Sequence, residues 1–266
     1  VLTGMLYPIF LDVLTNVKIS VGPPFFNIVI IPLVVPFMFL MGIGPKFGWI
    51  KSKNKILNKF FFVILGAIAI NLFIFYFFGK YSLLSNLIFI AAIFLILHSL
   101  LDIKKFINNK NKNELPRIIS HLGFGLLVFF IGINHQFSFE EDFNLKVGEI
   151  KKTNKYQINF KNIEIKDTKN YKAVIGVFKL ENLKNNLVQY LNPEIRIYSN
   201  PETLTYEAAI KTKITSDLYL TMSNVSRSEY YNIKFQDKPF MIWIWISSIM
   251  IAFGGFTRLT FKKNED

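Results

Sequence analysis

Cysteine is absent from all 266 residues. A disulfide, a zinc–thiolate site and a thiol nucleophile are therefore excluded within this chain. Any redox chemistry must come from a cofactor. Histidine is nearly as scarce, with His98, His121 and His135 making up the whole supply. A metal site built from this chain alone would be small. Acidic residues are also few, 18 against 31 Lys and Arg, which gives a net charge of +13. In a soluble protein that excess would suggest nucleic acid as a partner. Its distribution points elsewhere: residues 135–238 hold 16 Lys/Arg against 13 Asp/Glu, and the remainder holds 15 against 5. The basic surplus thus sits in short connections beside apolar runs, as membrane topology requires.

What is abundant is apolar. The mean hydropathy is +0.34 and 52% of residues are hydrophobic, more than a typical soluble domain carries. A helix needs about 20 apolar residues to cross the hydrocarbon core. Five such runs occur, at about 26–48, 58–78, 84–102, 117–134 and 239–257. A buried soluble helix is usually shorter and broken by polar residues. The first run carries Pro32, Pro36 and Pro45, so it is expected to bend and to pack against partners.

Orientation follows from the cations. Lys51, Lys53, Lys55 and Lys59 lie between the first two runs, Lys104, Lys105, Lys110, Lys112 and Arg117 between the third and fourth, and Arg258, Lys262 and Lys263 after the fifth. The alternate connections hold only Lys18 and Lys80. The positive-inside rule puts the first set in the cytoplasm or matrix. Residues 1–25, the loop at 79–83 and residues 135–238 then lie on the opposite side. An outside start with neither a signal peptide nor an initiator Met reads as the C-terminal part of a longer protein, or as one piece of a split one.

Between the fourth and fifth runs the period changes to two. Lys155-Tyr156-Gln157-Ile158-Asn159-Phe160, Ile163-Glu164-Ile165 and Glu194-Ile195-Arg196-Ile197-Tyr198 alternate polar and apolar residues, the pattern of half-buried strands. Asn185-Asn186 and Asn192-Pro193 are turn signals. Seven or eight short strands would make a small sandwich or barrel. The expected fold class is thus a polytopic α-helical membrane protein with an inserted small all-β extracytoplasmic domain. Residues 1–134 hold an outside segment and four spans, 135–238 the β-rich domain, and 239–266 the fifth span with a cytoplasmic tail.

His121 lies just inside the fourth run and His98 near the charged end of the third. The two spans run antiparallel, so the imidazoles should share a depth. An ionisable side chain there is a functional hypothesis by default. Three chemistries fit: axial ligation of haem iron, a proton relay, or an interfacial imidazole bound to headgroups or a carbonyl. Gly123 and Gly125, just past His121, would let either a flat macrocycle or a neighbouring helix come close. His135 reads as an exposed interfacial residue.

An ordered set of segments carries a resemblance. Leu6-Tyr7-Pro8 precedes Lys18-Ile19-Ser20-Val21-Gly22-Pro23-Pro24-Phe25-Phe26-Asn27. Ser120-His121-Leu122-Gly123 opens a span ending in Ile131-Gly132-Ile133. Pro193-Glu194-Ile195-Arg196-Ile197-Tyr198 is followed by Glu207-Ala208-Ala209-Ile210 and Asp217-Leu218-Tyr219. Lys238-Pro239-Phe240, Trp243-Ile244-Trp245, Met250 and Gly254-Gly255 complete it. Over essentially its whole length the chain resembles the C-terminal part of the CcmF/NrfE-type haem lyase family of cytochrome c maturation.

That resemblance implies a role. The family takes haem from a covalent haem chaperone and joins its vinyl groups to the thiols of a Cys-x-x-Cys-His motif in apocytochrome c, which thiol-reducing delivery subunits supply. It also carries a haem b of its own in the membrane, so haem is both cofactor and substrate. His121 matches the family's membrane His-x-Gly pattern and is implied as one axial ligand, with the haem iron as its metal. The tryptophan-rich haem-presenting segment, its two flanking histidines and the partner membrane histidine have no counterpart here. An N-terminal portion of the lyase is therefore an implied partner, along with membrane lipid. A His98–His121 pair is a second way to hold haem within this chain. Gly22-Pro23-Pro24 reads either as a rigid turn at the mouth of the first span or as lining for the haem or chaperone site. Arg196 suits either a haem propionate or an ion pair with Glu207 or Asp217. Gly254-Gly255 suits close helix packing. The implied location is a bacterial inner membrane or the mitochondrial inner membrane.

A different class, a membrane transporter, would favour internal repeats or mid-membrane charges. The sequence offers no inverted repeat, and Asp102 reads as lying at a span's end. A scaffold that only docks partners is the third possibility.

Overall fold

The computed structural model describes residues 2–15, 23–47, 55–79, 82–109, 112–224 and 229–262. Two compact units emerge, one from residues 1–132 with 243–266 and one from 133–242.

The first unit is helical. Its elements are α1 (Leu2–Thr15), α2 (Pro23–Ile43), α3 (Lys55–Phe78), α4 (Leu83–Asn109), α5 (Leu115–Phe137) and α6 (Met241–Lys262). All but α1 are long and apolar enough to cross a membrane. The segment expected as an outside loop thus contains a short apolar helix, α1. The third span is longer than its apolar run, because α4 continues through Lys104 and Lys105 to Asn109. Charge ends a hydrophobic run without ending a helix, since Lys is a good helix former.

α4 is the hub. Ala91, Ala92 and Leu95 meet Met38 of α2 and Phe124 and Val128 of α5. Ile93 and Phe94 turn to Ala67, Val63 and Ile64 of α3. Small residues bring the backbones close, because lipid offers helices no hydrophobic drive to associate. α5 does the same on two faces. Residues two apart on a helix point about 200° away from each other. A Cβ on Gly125 would lie 3.0 Å from Ile96 of α4, and one on Gly123 would lie 3.0 Å from Ile251 of α6. Gly254 of α6 sits tighter still: its Cβ would be 2.8 Å from the Ser120 backbone nitrogen and 2.9 Å from the Pro116 carbonyl.

The second unit is a two-sheet antiparallel sandwich. One sheet has the order β1 (Phe139–Leu145), β10 (Tyr231–Pro239), β9 (Ser216–Asn224) and β8 (Ala209–Thr212). The other runs β2 (Ile150–Lys152), β3 (Tyr156–Asp167), β4 (Tyr171–Asn182), β6 (Glu194–Ser199) and β7 (Glu202–Glu207), with β5 (Val188–Leu191) paired to β4. Ile158, Phe160, Phe178, Leu180 and Ile195 of this sheet face Leu218, Leu220, Met222, Ile233 and Phe235 of the other. Phe160 and Phe178 stack at 4.2 Å, directly opposite in the β3–β4 register. A Cβ on Gly176 would meet Phe178 at 2.6 Å and Met222 at 2.7 Å, so glycine there lets the sheets close. Among the described residues the sandwich holds ten strands rather than seven or eight, because the 12-residue β3 and β4 leave room for short strands at their flanks.

Two outcomes follow for stability. Gly254→Leu forces α6 off α5 and should cost about 1–3 kcal/mol, whereas Gly255→Leu, where a Cβ meets open space, should be near neutral; thermal unfolding in detergent separates them. The buried Tyr156 phenol is raised above its ordinary value, first by burial and then by the charge of Asp237. The folded domain therefore holds that proton where the unfolded chain releases it, above about pH 10. This contribution is intact below that pH and lost as pH rises. The melting temperature should fall more steeply above that point in the parent than in Tyr156→Phe.

Candidate functional site

Most of the polar chemistry of the helical unit collects at its basic end. Asp102 on α4 is only 6% exposed. Its carboxylate takes Lys46 Nζ at 2.8 Å on one oxygen and Arg117 at 2.9 Å on the other. Lys46 follows α2, in the short 3-10 turn Gly44–Lys46, and Arg117 lies in the first turn of α5. One carboxylate of α4 thus joins the end of the α2 segment to the start of α5. Arg117 also reaches Glu114 at 3.5 Å, and Lys105 reaches the same Glu114 at 3.7 Å.

His98 belongs to this cluster. It stands one helical turn before Asp102 on α4, 5% exposed. Its Nδ1 lies 2.5 Å from Lys46 Nζ, so the ammonium donates to a neutral ring. Phe94 covers it at 5.1 Å, and Gly42 of α2 leaves room: a Cβ there would lie 3.5 Å from the ring. The imidazole is enclosed on all sides by protein.

His121 differs. It is half-buried, and among the described residues no hydrogen bond or ion pair engages its ring. The Asp102–Arg117 and Ile96–Gly125 contacts set the α4–α5 register and put the two histidines at one level, as antiparallel spans require. His121 is also one turn beyond Arg117 on α5. The His98 ring is thus bonded to Lys46 and covered by Phe94, whereas among the described residues the His121 ring has no such partner.

The other sequence candidates separate clearly. Gly22 lies outside the described residues, and Pro23 and Pro24 open α2, where proline's fixed φ and missing donor suit a first turn. The spaces beside Gly123 and Gly125 are taken by α6 and α4, which is the helix-packing alternative. Arg196 is held inside the sandwich unit by Glu194 at 2.8 Å, Glu207 at 3.9 Å and the Tyr171 ring at 4.9 Å. Asp217 instead accepts from Thr212. Beside Tyr171 a surface cleft of about 460 Å³ is lined by Asp167, Lys172, Ile197, Tyr198 and Glu202. His135 is exposed.

The sequence reading missed the Lys46–Asp102–Arg117 centre. It took Asp102 for the end of a span, but α4 runs seven residues further to Asn109. The signal that would have found it is the i, i+4 spacing of His98 and Asp102, which puts both on one helix face.

Comparison with known proteins bears on this arrangement. The family model described as the CcmF C-terminal beta-sandwich matches residues 136–239, the whole strand-bearing segment. The similarity extends into the helices. The cytochrome c-type biogenesis protein CcmF of Pseudomonas fluorescens is 27% identical over 268 residues, covering 96% of this chain and 40% of its own length. Over nearly its whole length this chain is similar to part of the CcmF proteins. The CcmF of Escherichia coli (strain K12) is 27% identical over 263 residues, with 96% and 40% coverage. The NrfE protein of Haemophilus influenzae is 20% identical over 254 residues, covering 94% of the chain. A solved structure named Cytochrome c Heme Lyase CcmF shares the fold, with a TM-score of 0.78 at 19% identity over 97% of this chain and 42% of that one. The chain thus spans about 40% of the length of the curated relatives it matches. Its architecture joins five helices long and apolar enough to cross a membrane to an all-β sandwich, and the fold is that of the solved CcmF structure.

The ion cluster makes its own prediction. Asp102→Ala leaves two cations facing one another without a counterion and should cost about 3 kcal/mol. Glu114→Ala removes only partly exposed pairs and should cost under about 1 kcal/mol. Thermal unfolding of the purified variants measures both.

Proposed function

We propose that this chain is the C-terminal part of a membrane haem lyase, acting with the remaining portion of that enzyme to attach haem by thioether bonds to the Cys-x-x-Cys-His motif of apocytochrome c. Its partners in this reading are the N-terminal portion with the tryptophan-rich segment, a haem chaperone, and apocytochrome c with its thiol-reducing delivery subunits. Similarity to CcmF proteins over 96% of the chain and the cytochrome c biogenesis names of the relatives support it. The transporter alternative finds no support in those names.

The observation that carries the residue assignment is the contrast between the two histidines. His121 offers an unengaged imidazole on a half-buried helix face, whereas His98 is enclosed and bonded to Lys46. The donor set therefore fits one axial ligand from this chain, His121, with the second supplied by the partner portion. A His98–His121 pair fits poorly, since a macrocycle at His98 would displace Phe94 and Lys46. Haem b bound there would supply one-electron redox chemistry. The chain's own contribution is to hold a neutral imidazole at fixed depth, with Gly123 and Gly125 locking α5 between α6 and α4. Arg196, committed to Glu194 and Glu207, acts as a sandwich strut. By the positive-inside rule, the basic connections face the cytoplasm or matrix and residues 138–239 the opposite compartment of a bacterial or mitochondrial inner membrane.

The chain co-expressed with its N-terminal counterpart should give a b-type pyridine haemochrome spectrum. His121→Ala should lower haem content and cytochrome c maturation by about tenfold or more, since even outer partners of a metal ligand cost about that much. His98→Phe should keep the haem. Full haem content in His121→Ala would refute the ligand assignment.

A further inference from the structure

We infer that the outward face of α2 is the docking surface for a membrane-spanning helix of the lyase's remaining portion, one that brings hydrogen-bond donors to the α2 backbone. The inference rests on the reading that such a portion works with this chain.

α2 has two faces. Val34, Val35, Met38, Phe39 and Met41 pack on α4 and α5. The other face, Ile28, Val29, Pro32, Leu33, Pro36 and Leu40, is exposed. Ile28 is 66%, Leu33 69% and Leu40 64% accessible, and Ile28, Pro32, Pro36 and Leu40 follow one another at the i, i+4 spacing of a single stripe. Lipid could cover those side chains at no cost. It cannot serve the backbone beneath them. Pro32 and Pro36 lie inside the helix, and a proline has no N–H to give the carbonyl four residues earlier. The carbonyls of Ile28 and Pro32 therefore lose their helical donors, and both residues lie on the exposed stripe. In hydrocarbon an unserved carbonyl is costly, and helices with internal proline persist in membranes where neighbours re-satisfy the freed groups.

Among the described residues no helix occupies that stripe, yet the chain matches only 40% of the length of each curated relative, so that about 60% of that length lies outside the match. That additional length is the source of the occupant. Its chemistry is set by what it must do. A helix with small residues at the contact lets the backbones approach, and a Ser, Thr, Asn, Gln or Trp side chain supplies the donor. A second copy of this chain answers the need less well. Its own exposed stripe would bring further proline carbonyls and apolar side chains, and no donor.

Because the chain has no cysteine, single-cysteine variants give unique handles. The full chain carrying Leu33→Cys or Leu40→Cys, labelled with a benzophenone maleimide, is co-purified with the N-terminal portion and illuminated. Leu72→Cys on α3, where the side chain is 58% exposed, serves as the comparison. Adducts to the partner polypeptide should be several-fold stronger from positions 33 and 40 than from 72. A complex recovered intact in which 33 and 40 label lipid alone, another copy of this chain, or the partner no better than 72 does, overturns the docking surface and leaves the proposed function standing. No complex from the unmodified chains removes both. As a second measure, Leu33→Trp should lower recovery of the complex several-fold while Leu72→Trp leaves it unchanged; equal recovery from the two overturns the proposal.

Discussion

A single buried carboxylate sets the arrangement of the helical unit. Asp102 receives Lys46 from the end of α2 and Arg117 from the start of α5. Each helix could otherwise slide along α4, since apolar surfaces against lipid carry little register information. Two charged contacts on one acid fix both registers together. The expense of burying an ion pair makes such contacts weak sources of stability, but a misregistered helix would strand a cation in the membrane. The level of His121 relative to His98, and the seats of Gly125 on Ile96 and Gly123 on Ile251, follow from that register.

The sandwich is stabilised differently. Its core is made of aromatic and branched side chains from facing sheets, with Phe160 on Phe178 at the centre and Gly176 giving Met222 its place. Some of its ion pairs lie at the surface, such as Lys234 with Glu140 and Lys151 with Glu141 at 3.0 Å, while the buried Asp237 carboxylate takes Lys155 at 3.4 Å. The hairpin formed by β9 and β10 pairs Leu220 with Phe235 and Met222 with Ile233, so adjacent strands present the same face without exception.

How far the sequence foretold this depends on which physics each residue obeys. Hydrocarbon thickness and period-two alternation are written directly in composition, so five spans and a β segment were legible from Ile, Leu and Phe alone. The sandwich-or-barrel choice was not, because closure depends on how strands share edges rather than on their pattern. α1 was missed because Pro8 and the short apolar run look like a loop until the backbone is seen. The end of α4 was missed because Lys104 and Lys105 break the apolar run while continuing the helix. That error hid Asp102, the acid on which the register turns. The histidines were visible as residues but not as environments: only packing separates the enclosed ring of His98 from the available ring of His121.

The strands that begin and end the sandwich are neighbours. β1 follows α5, β10 leads into α6, and the two pair along their whole length, Phe139 opposite Asp237, with Asn134 donating to the Pro239 carbonyl at 2.8 Å. Entry and exit therefore lie about 5 Å apart, the span of one antiparallel pair. Such a module is portable: excised at its neck and bridged by a short turn, it would leave two helices joined as a plain hairpin, and it could be exchanged for another β fold with adjacent termini without rethreading the membrane.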